Sequence, residues 1–324
     1  MNTTVADTEL EHFIRTSPKA ELHLHIEGTL EPELMFQLAD RNNIQLPFKD
    51  IEQANAAYNF ANLQEFLDLY FASTQVLTQA ADFQDLAEAY FAKAIADGTT
   101  HVEIFFDPQA HAERGVPIDT VMQGLLAASE TAQGQGLSVG MICCFLRHLD
   151  EADAFKTLEA IEPWRENILG VGLDSTEIGH PPTKFARVFE AARKQGYHLV
   201  AHAGEEGPPE FIWEALDILG VERIDHGNAA MQDTTLMQRL AKDQIPLTMC
   251  PFSNVKLCVI DNLQQHPAKA MLDAGLKVTL NSDDPAYFGG YLADNIVGTA
   301  KALQLSRAEL TTLFNNSLDA RFLA

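Results

Sequence analysis

Eight short apolar runs punctuate the chain, at Glu21–Ile26, His101–Phe106, Ser138–Leu146, Ile168–Leu173, His198–His202, Arg223–His226, Pro246–Cys250 and Lys277–Leu280. Between most of them lies one amphipathic segment of helical length: Val116–Gln133, Asp150–Trp164, Thr183–Lys194, Glu210–Leu219, Thr234–Asp243 and Leu263–Ala274. Pro208-Pro209 opens one helix, Gly220 follows its end, and Gly196 and Gly275 close two others. Proline suits a first helical turn, and glycine takes the left-handed position just past a last one. Alternating strands and helices build a parallel sheet, and eight units predict closure into an α/β fold, the (β/α)8 TIM barrel. The first connection differs. From Ile26 to His101 the pattern is helical (Pro32–Arg41, Leu63–Thr78, Ala81–Ala96), predicting a helical cap over about 30–97 beside the barrel mouth.

A single barrel domain over 1–324 accounts for the length, and 46% apolar residues suffice for its core. Lys plus Arg is 22 against 46 Asp plus Glu, a net charge of −24. Such a surface repels phosphate backbones, so no nucleic acid is expected as a partner; otherwise the charge speaks only for solubility. No run approaches a membrane span, and Met1–Phe13 lacks the layout of a signal peptide. No membrane partner is expected, and the cytoplasm is the default location. The cysteines are Cys143, Cys144, Cys250 and Cys258, with no CxxC pair. That excludes the cytidine-deaminase type of zinc site, which needs PCxxC, and argues against a disulfide framework.

Ionisable residues gather at the strand ends. Strand one ends His23-Leu24-His25, strand two runs into Asp107, and strand three ends near Arg147. Strand four ends in Asp174 with Glu177 close behind, and strand five ends in His202 followed by Glu205. Strand six ends in His226, strand seven runs into Ser253-Asn254, and strand eight ends in Asp283-Asp284. Barrel enzymes build their active sites at this face. His23 and His25 share one face of a strand, where one metal ion could take both; two hydrogen-bonded core histidines are the plainer alternative. A lone strand histidine such as His202 is usually structural, and Asp284 alone reads as a helix cap. Together, three histidines and an aspartate from four strands match a nitrogen/oxygen zinc site with room for water.

These blocks resemble the adenosine and adenine deaminase family of the amidohydrolase superfamily. The resemblance rests on Pro18–Gly28, His202-Ala203-Gly204-Glu205, Asp225-His226-Gly227, Cys250-Pro251-Phe252-Ser253-Asn254 and Asn281-Ser282-Asp283-Asp284-Pro285. It implies that His23, His25, His202 and Asp283 bind zinc and that Glu205 is the proton donor. It further implies that His226 is the water-orienting base and Asp284 the second, substrate-facing aspartate. Binuclear relatives carry a lysine at the end of strand four. Here Leu173-Asp174-Ser175-Thr176-Glu177 has none, which implies one Zn2+ per chain. The implied reaction is hydrolytic deamination of a purine base, adenine, to hypoxanthine and ammonia, with the base and water as partners. A homo-oligomer is left open. An adenosine deaminase, an N6-substituted adenine deaminase and a non-catalytic zinc-binding relative are the alternatives.

Adenosine-specific members have glycine in place of Glu177 and of Asp225, and both changes resemble the adenine branch. Free adenine has an N–H on its five-membered ring where adenosine has ribose. A carboxylate at Glu177 is expected to accept that hydrogen bond and so disfavour nucleosides. The plainer reading makes Glu177 a strand-end acid bonded to neighbouring backbone.

Overall fold

The computed structural model describes residues 5–322. Its strands are β1 (Lys19–His25), β2 (Thr99–Phe106), β3 (Ser138–Leu146), β4 (Gly170–Asp174), β5 (His198–Ala203), β6 (Arg223–His226), β7 (Leu247–Met249) and β8 (Val278–Leu280). They form one sheet in the order β1 to β8, and every neighbouring pair is parallel. Closure comes from the last strand meeting the first. Leu24 bridges Asp283, His25 N donates to Asp283 O at 3.0 Å, and Asp283 N donates to His23 O at 3.2 Å. The barrel anticipated from the eight runs is therefore present. Its strands are buried on both faces, which is why they read as apolar runs without alternation.

The connection from β1 to β2 carries helices Pro32–Asn42, Ile51–Ala57, Leu63–Ser73 and Ala80–Ala96. The seven-residue helix Ile51–Ala57 had no periodic signal. The Asp50 carboxylate caps it, accepting from Gln53 N at 2.9 Å. The segment expected to be helical to Thr78 stops being α-helical at Ser73 and tightens into a 3₁₀ turn, Thr74–Val76.

Below the site, the interior holds a buried ion pair: Arg223 Nη2 lies 2.7 Å from Glu103 Oε2, and both side chains are fully buried. Arg223 Nη1 donates to Ala320 O, and its guanidinium stacks 4.5 Å from the Phe322 ring. The end of the described chain thus seals the floor. Strand ends at the mouth depart from regular geometry: Ser175, His226 and Asp283 have φ of 73°, 64° and 65°. Left-handed backbone at non-glycine residues is strained and clusters at functional sites; here it turns three side chains out of strand register. Among the described residues no helix is long and apolar enough to cross a membrane.

Candidate active site

Four groups from β1, β5 and the end of β8 meet at one point. The ligand atoms of His23, His25, His202 and Asp283 all lie within 4.8 Å of one another. His25 Nε2 is 3.3 Å from His202 Nε2, and Asp283 Oδ1 is 3.3 Å from His23 Nε2 and 3.5 Å from His25 Nε2. Ligands held about 2.1 Å from a tetrahedral zinc are about 3.4 Å apart, so the spacing is that of a coordination shell. The chemistry agrees: His23 Nε2 is buried with no hydrogen-bond partner. Burial, then the neighbouring imidazoles, holds His202 well below its ordinary pKa, which keeps the neutral form a metal needs. Burial alone would raise Asp283, but His23 and His226 outweigh it and keep the carboxylate ionised. The donor set fits a divalent cation.

A second layer aims these ligands. His23 Nδ1 pairs with Thr248 Oγ1 at 3.0 Å, and Thr248 Oγ1 donates to Asp225 Oδ1 at 2.7 Å. The other Asp225 oxygen lies 3.7 Å from His202 Nδ1. Asp225, read from sequence only as a departure from the adenosine pattern, therefore sits beneath two histidines of the tetrad and above Arg223, 4.0 Å away. Asp174 Oδ2 plays the same part for His25, 3.6 Å from its Nδ1.

Glu205, His226 and Asp284 flank the tetrad. Burial, then the charges of Asp283 and Glu177, pushes Glu205 well above the usual carboxylate range, as a proton donor requires. Asp284 precedes the short helix Pro285–Phe288 without capping it, so its carboxylate stays free for the cavity. Gly28 gives it room: a Cβ there would overlap the Asp284 carboxylate. His226 Nε2 lies 3.6 Å from Glu205 Oε1 and 3.7 Å from Asp283 Oδ2. Its tautomer is set from a distance. Ala268 N donates to His266 Nδ1, so neutral His266 carries its proton on Nε2 and gives it to Asn254 Oδ1 at 3.1 Å. Asn254 Nδ2 then donates to His226 Nδ1 at 3.2 Å, which leaves the His226 proton on Nε2, facing the tetrad.

A cavity of about 430 Å³ opens over these groups. Its polar walls include His25, Asp107, Asp174, His202, Glu205, His226, Asp283 and Asp284. Leu63, Phe66, Leu67, Tyr70 and Phe71 of the β1–β2 insertion form an apolar roof with Leu146, Leu257 and Phe288. An apolar lining with a few convergent polar groups is that of a small-molecule site. The adenosine deaminase family model matches residues 18–324. The chain belongs to the adenosine deaminase family. Within it, adenine deaminase of Caulobacter vibrioides is 58% identical over 312 residues, 96% of this chain and 91% of the relative. The crystal structure of adenine deaminase from Arthrobacter aurescens superposes with a TM-score of 0.93 at 50% identity, covering 95% of this chain and 94% of that one. An amidohydrolase from Burkholderia ambifaria, solved with bound Zn, gives 0.90 at 24% identity over 100% of this chain and 90% of that one; at that identity the likeness speaks for the fold.

For this family member the structure corrects the expectation for Glu177. Its carboxylate does not line the cavity. It accepts four backbone N–H groups, from Gly204 (2.7 Å), Glu205 (3.0 Å), Glu206 (2.9 Å) and Gly207 (2.7 Å). Three of those bonds converge on Oε2 and one on Oε1, so the carboxylate is turned to the loop after β5 and away from the cavity. Glu177 instead holds the turn that presents Glu205. Gly207 permits the approach, since a Cβ there would lie 2.6 Å from the Glu177 carboxyl carbon. Arg147 was noted at a strand end without a role. It is fully buried and donates to His202 O and His180 O, both at 2.8 Å, bracing β5 against the segment after β4. His266 belongs to the relay behind His226. No short motif marked either residue.

Proposed function

We propose that the chain hydrolyses adenine to hypoxanthine and ammonia, using one zinc ion per chain. The observation that carries this is the meeting of a three-histidine, one-aspartate tetrad with Glu205, His226 and Asp284 in one apolar-roofed cavity. Relatives 58% and 50% identical over nearly the whole chain are named adenine deaminase. His23, His25, His202 and Asp283 would hold the metal, which when bound supplies a water acidic enough to attack at neutral pH.

The rest is work for the chain's own side chains. Glu205 keeps its proton until the base is bound, then gives it to ring nitrogen N1 beside the reacting carbon. That withdraws electrons from the carbon as the water oxygen adds, and places no net negative charge on the ring. His226 directs the attacking oxygen by donating its Nε2–H. With its proton on Nε2, His226 orients the attacking oxygen rather than acting as the base that the resemblance implies. After addition the hydrogen left on that oxygen passes to the amino group, the C6–N6 bond breaks, and ammonia leaves as the C6 carbonyl forms. Glu205 regains its proton from the next water. Asp284 approaches from the opposite flank, where it meets the imidazole-side nitrogen N7 and fixes the plane of the base. The apolar roof excludes bulk water, so these charges act at low dielectric.

The chain works as one barrel domain, with about 30–97 as its cap and the base and water as its partners. The four free thiols among the described residues suit the cytoplasm. The test is ammonia release by zinc-loaded protein from adenine, adenosine and an N6-alkyl adenine side by side. Turnover of adenine well above the other two is expected. Preference for either of the others would overturn the substrate assignment and leave the metal site standing.

A further inference from the structure

Glu177 holds the turn after β5 and does not line the cavity, which leaves another group to read the feature that separates a free base from a nucleoside. The polar side chains of the cavity are unevenly placed around the barrel. The tetrad, Glu205, His226 and Asp284 come from β5 round through β8 to β1. A base with its reacting carbon on that side, N1 at Glu205 and N7 near Asp284 turns its opposite edge, N3 and N9–H, toward the ends of β2 to β4. Asp107 stands at the end of β2 on that wall.

Asp107 is 3% exposed, lines the cavity, and its Oδ1 has no hydrogen-bond partner. A buried acceptor left unpaired costs free energy, and natural sites rarely keep one without a ligand to fill it. Of its acidic neighbours Glu27 is committed elsewhere, whereas Asp174 shares a hydrogen bond with Asp107 and also keeps a buried Oδ1 with no donor on the same cavity wall. Glu27 Oε1 takes His111 Nε2 at 2.8 Å and Asp107 N at 3.2 Å, and Glu27 does not line the cavity. Asp174 Oδ2 faces His25. We infer that Asp107 is the specificity-determining residue for the free base, accepting the N9–H of the purine through Oδ1. This rests on the proposed adenine reading and deepens it. A nucleoside has no hydrogen at N9 and would drive its sugar into the same wall. It would both strand the carboxyl oxygen and collide with it.

The experiment compares kcat/KM for adenine and for 9-methyladenine, which differs only in the N–H, in wild type, Asp107→Ala and Asp107→Asn. A ratio of two substrates on one preparation does not depend on how much of it is folded. Wild type is expected to prefer adenine by about 100-fold or more, the order of one buried hydrogen bond plus the steric term. Asp107→Ala should lower that preference by about 100-fold, mostly through loss of adenine turnover. Asp107→Asn, whose side-chain oxygen can still accept, should stay within about tenfold of wild type. An Asp107→Ala ratio within about threefold of wild type, well under the effect of one lost hydrogen bond, would overturn the inference. Failure of wild type to deaminate adenine at all would instead overturn the proposed function.

Discussion

Single side chains here do work that their type alone does not reveal. Glu205 and Glu177 are two buried glutamates, 7% and 1% exposed, in different surroundings. Glu205 finds mostly negative charge around it and is driven toward its protonated form. Glu177 sits in a cup of backbone N–H donors. Glu205→Gln keeps the shape and removes the transferable proton. Its zinc content should equal wild type while turnover falls by about 10²- to 10⁴-fold; near-normal turnover would remove Glu205 from the mechanism. His266 makes a different prediction. Burial lowers its pKa from 6.5 to about 3. A depressed histidine contributes stability that is complete above its unfolded value and is lost as pH falls from 6.5 toward 3. His266→Gln removes that titration, so its Tm should fall less steeply than wild type between pH 6.5 and 4. Parallel curves would show that His266 does not carry the acid sensitivity.

At the scale of elements, the strand ends are legible and the loops are not. The eight apolar runs place each strand to within a few residues, because strands buried on both faces need unbroken hydrophobic stretches. The tetrad is equally visible, since His23 and His25 share a strand face and the other ligands end β5 and β8. What Glu177 does was not visible. A carboxylate three residues past a strand and another on a glycine turn look alike until the chain is folded, when the turn after β5 closes on the first of them. Glu177→Gln should therefore damage the turn rather than the selectivity. The amide offers one acceptor oxygen where four N–H groups converge. The variant should lose about 1–3 kcal/mol of stability, seen in denaturant unfolding, and lose turnover on every purine alike. A changed preference between adenine and 9-methyladenine in this variant would return Glu177 to the substrate.

The whole molecule is a ring of strands whose first and last members are tied at the site itself, through Leu24 and Asp283. The tetrad spans that seam and reaches across to β5, so a bound metal cross-links the barrel where its sheet is least continuous. Stripping the metal with a chelator should lower Tm, and returning zinc should raise it with concentration. At about 100 times Kd the gain is about 2.7 kcal/mol. An unchanged Tm would argue that the tetrad holds no ion. The amino-acid order by itself determined the barrel, the helical insertion after β1 and the residues that end each strand, because periodicity and burial are local properties of the chain. Only the folded structure decided which carboxylates line the cavity. Asp107 and Glu177 are both strand-end acids in the sequence. One is left with an unpaired oxygen in the cavity and the other is surrounded by N–H donors, because hydrogen-bond saturation depends on which loops pack together, and no local pattern records that.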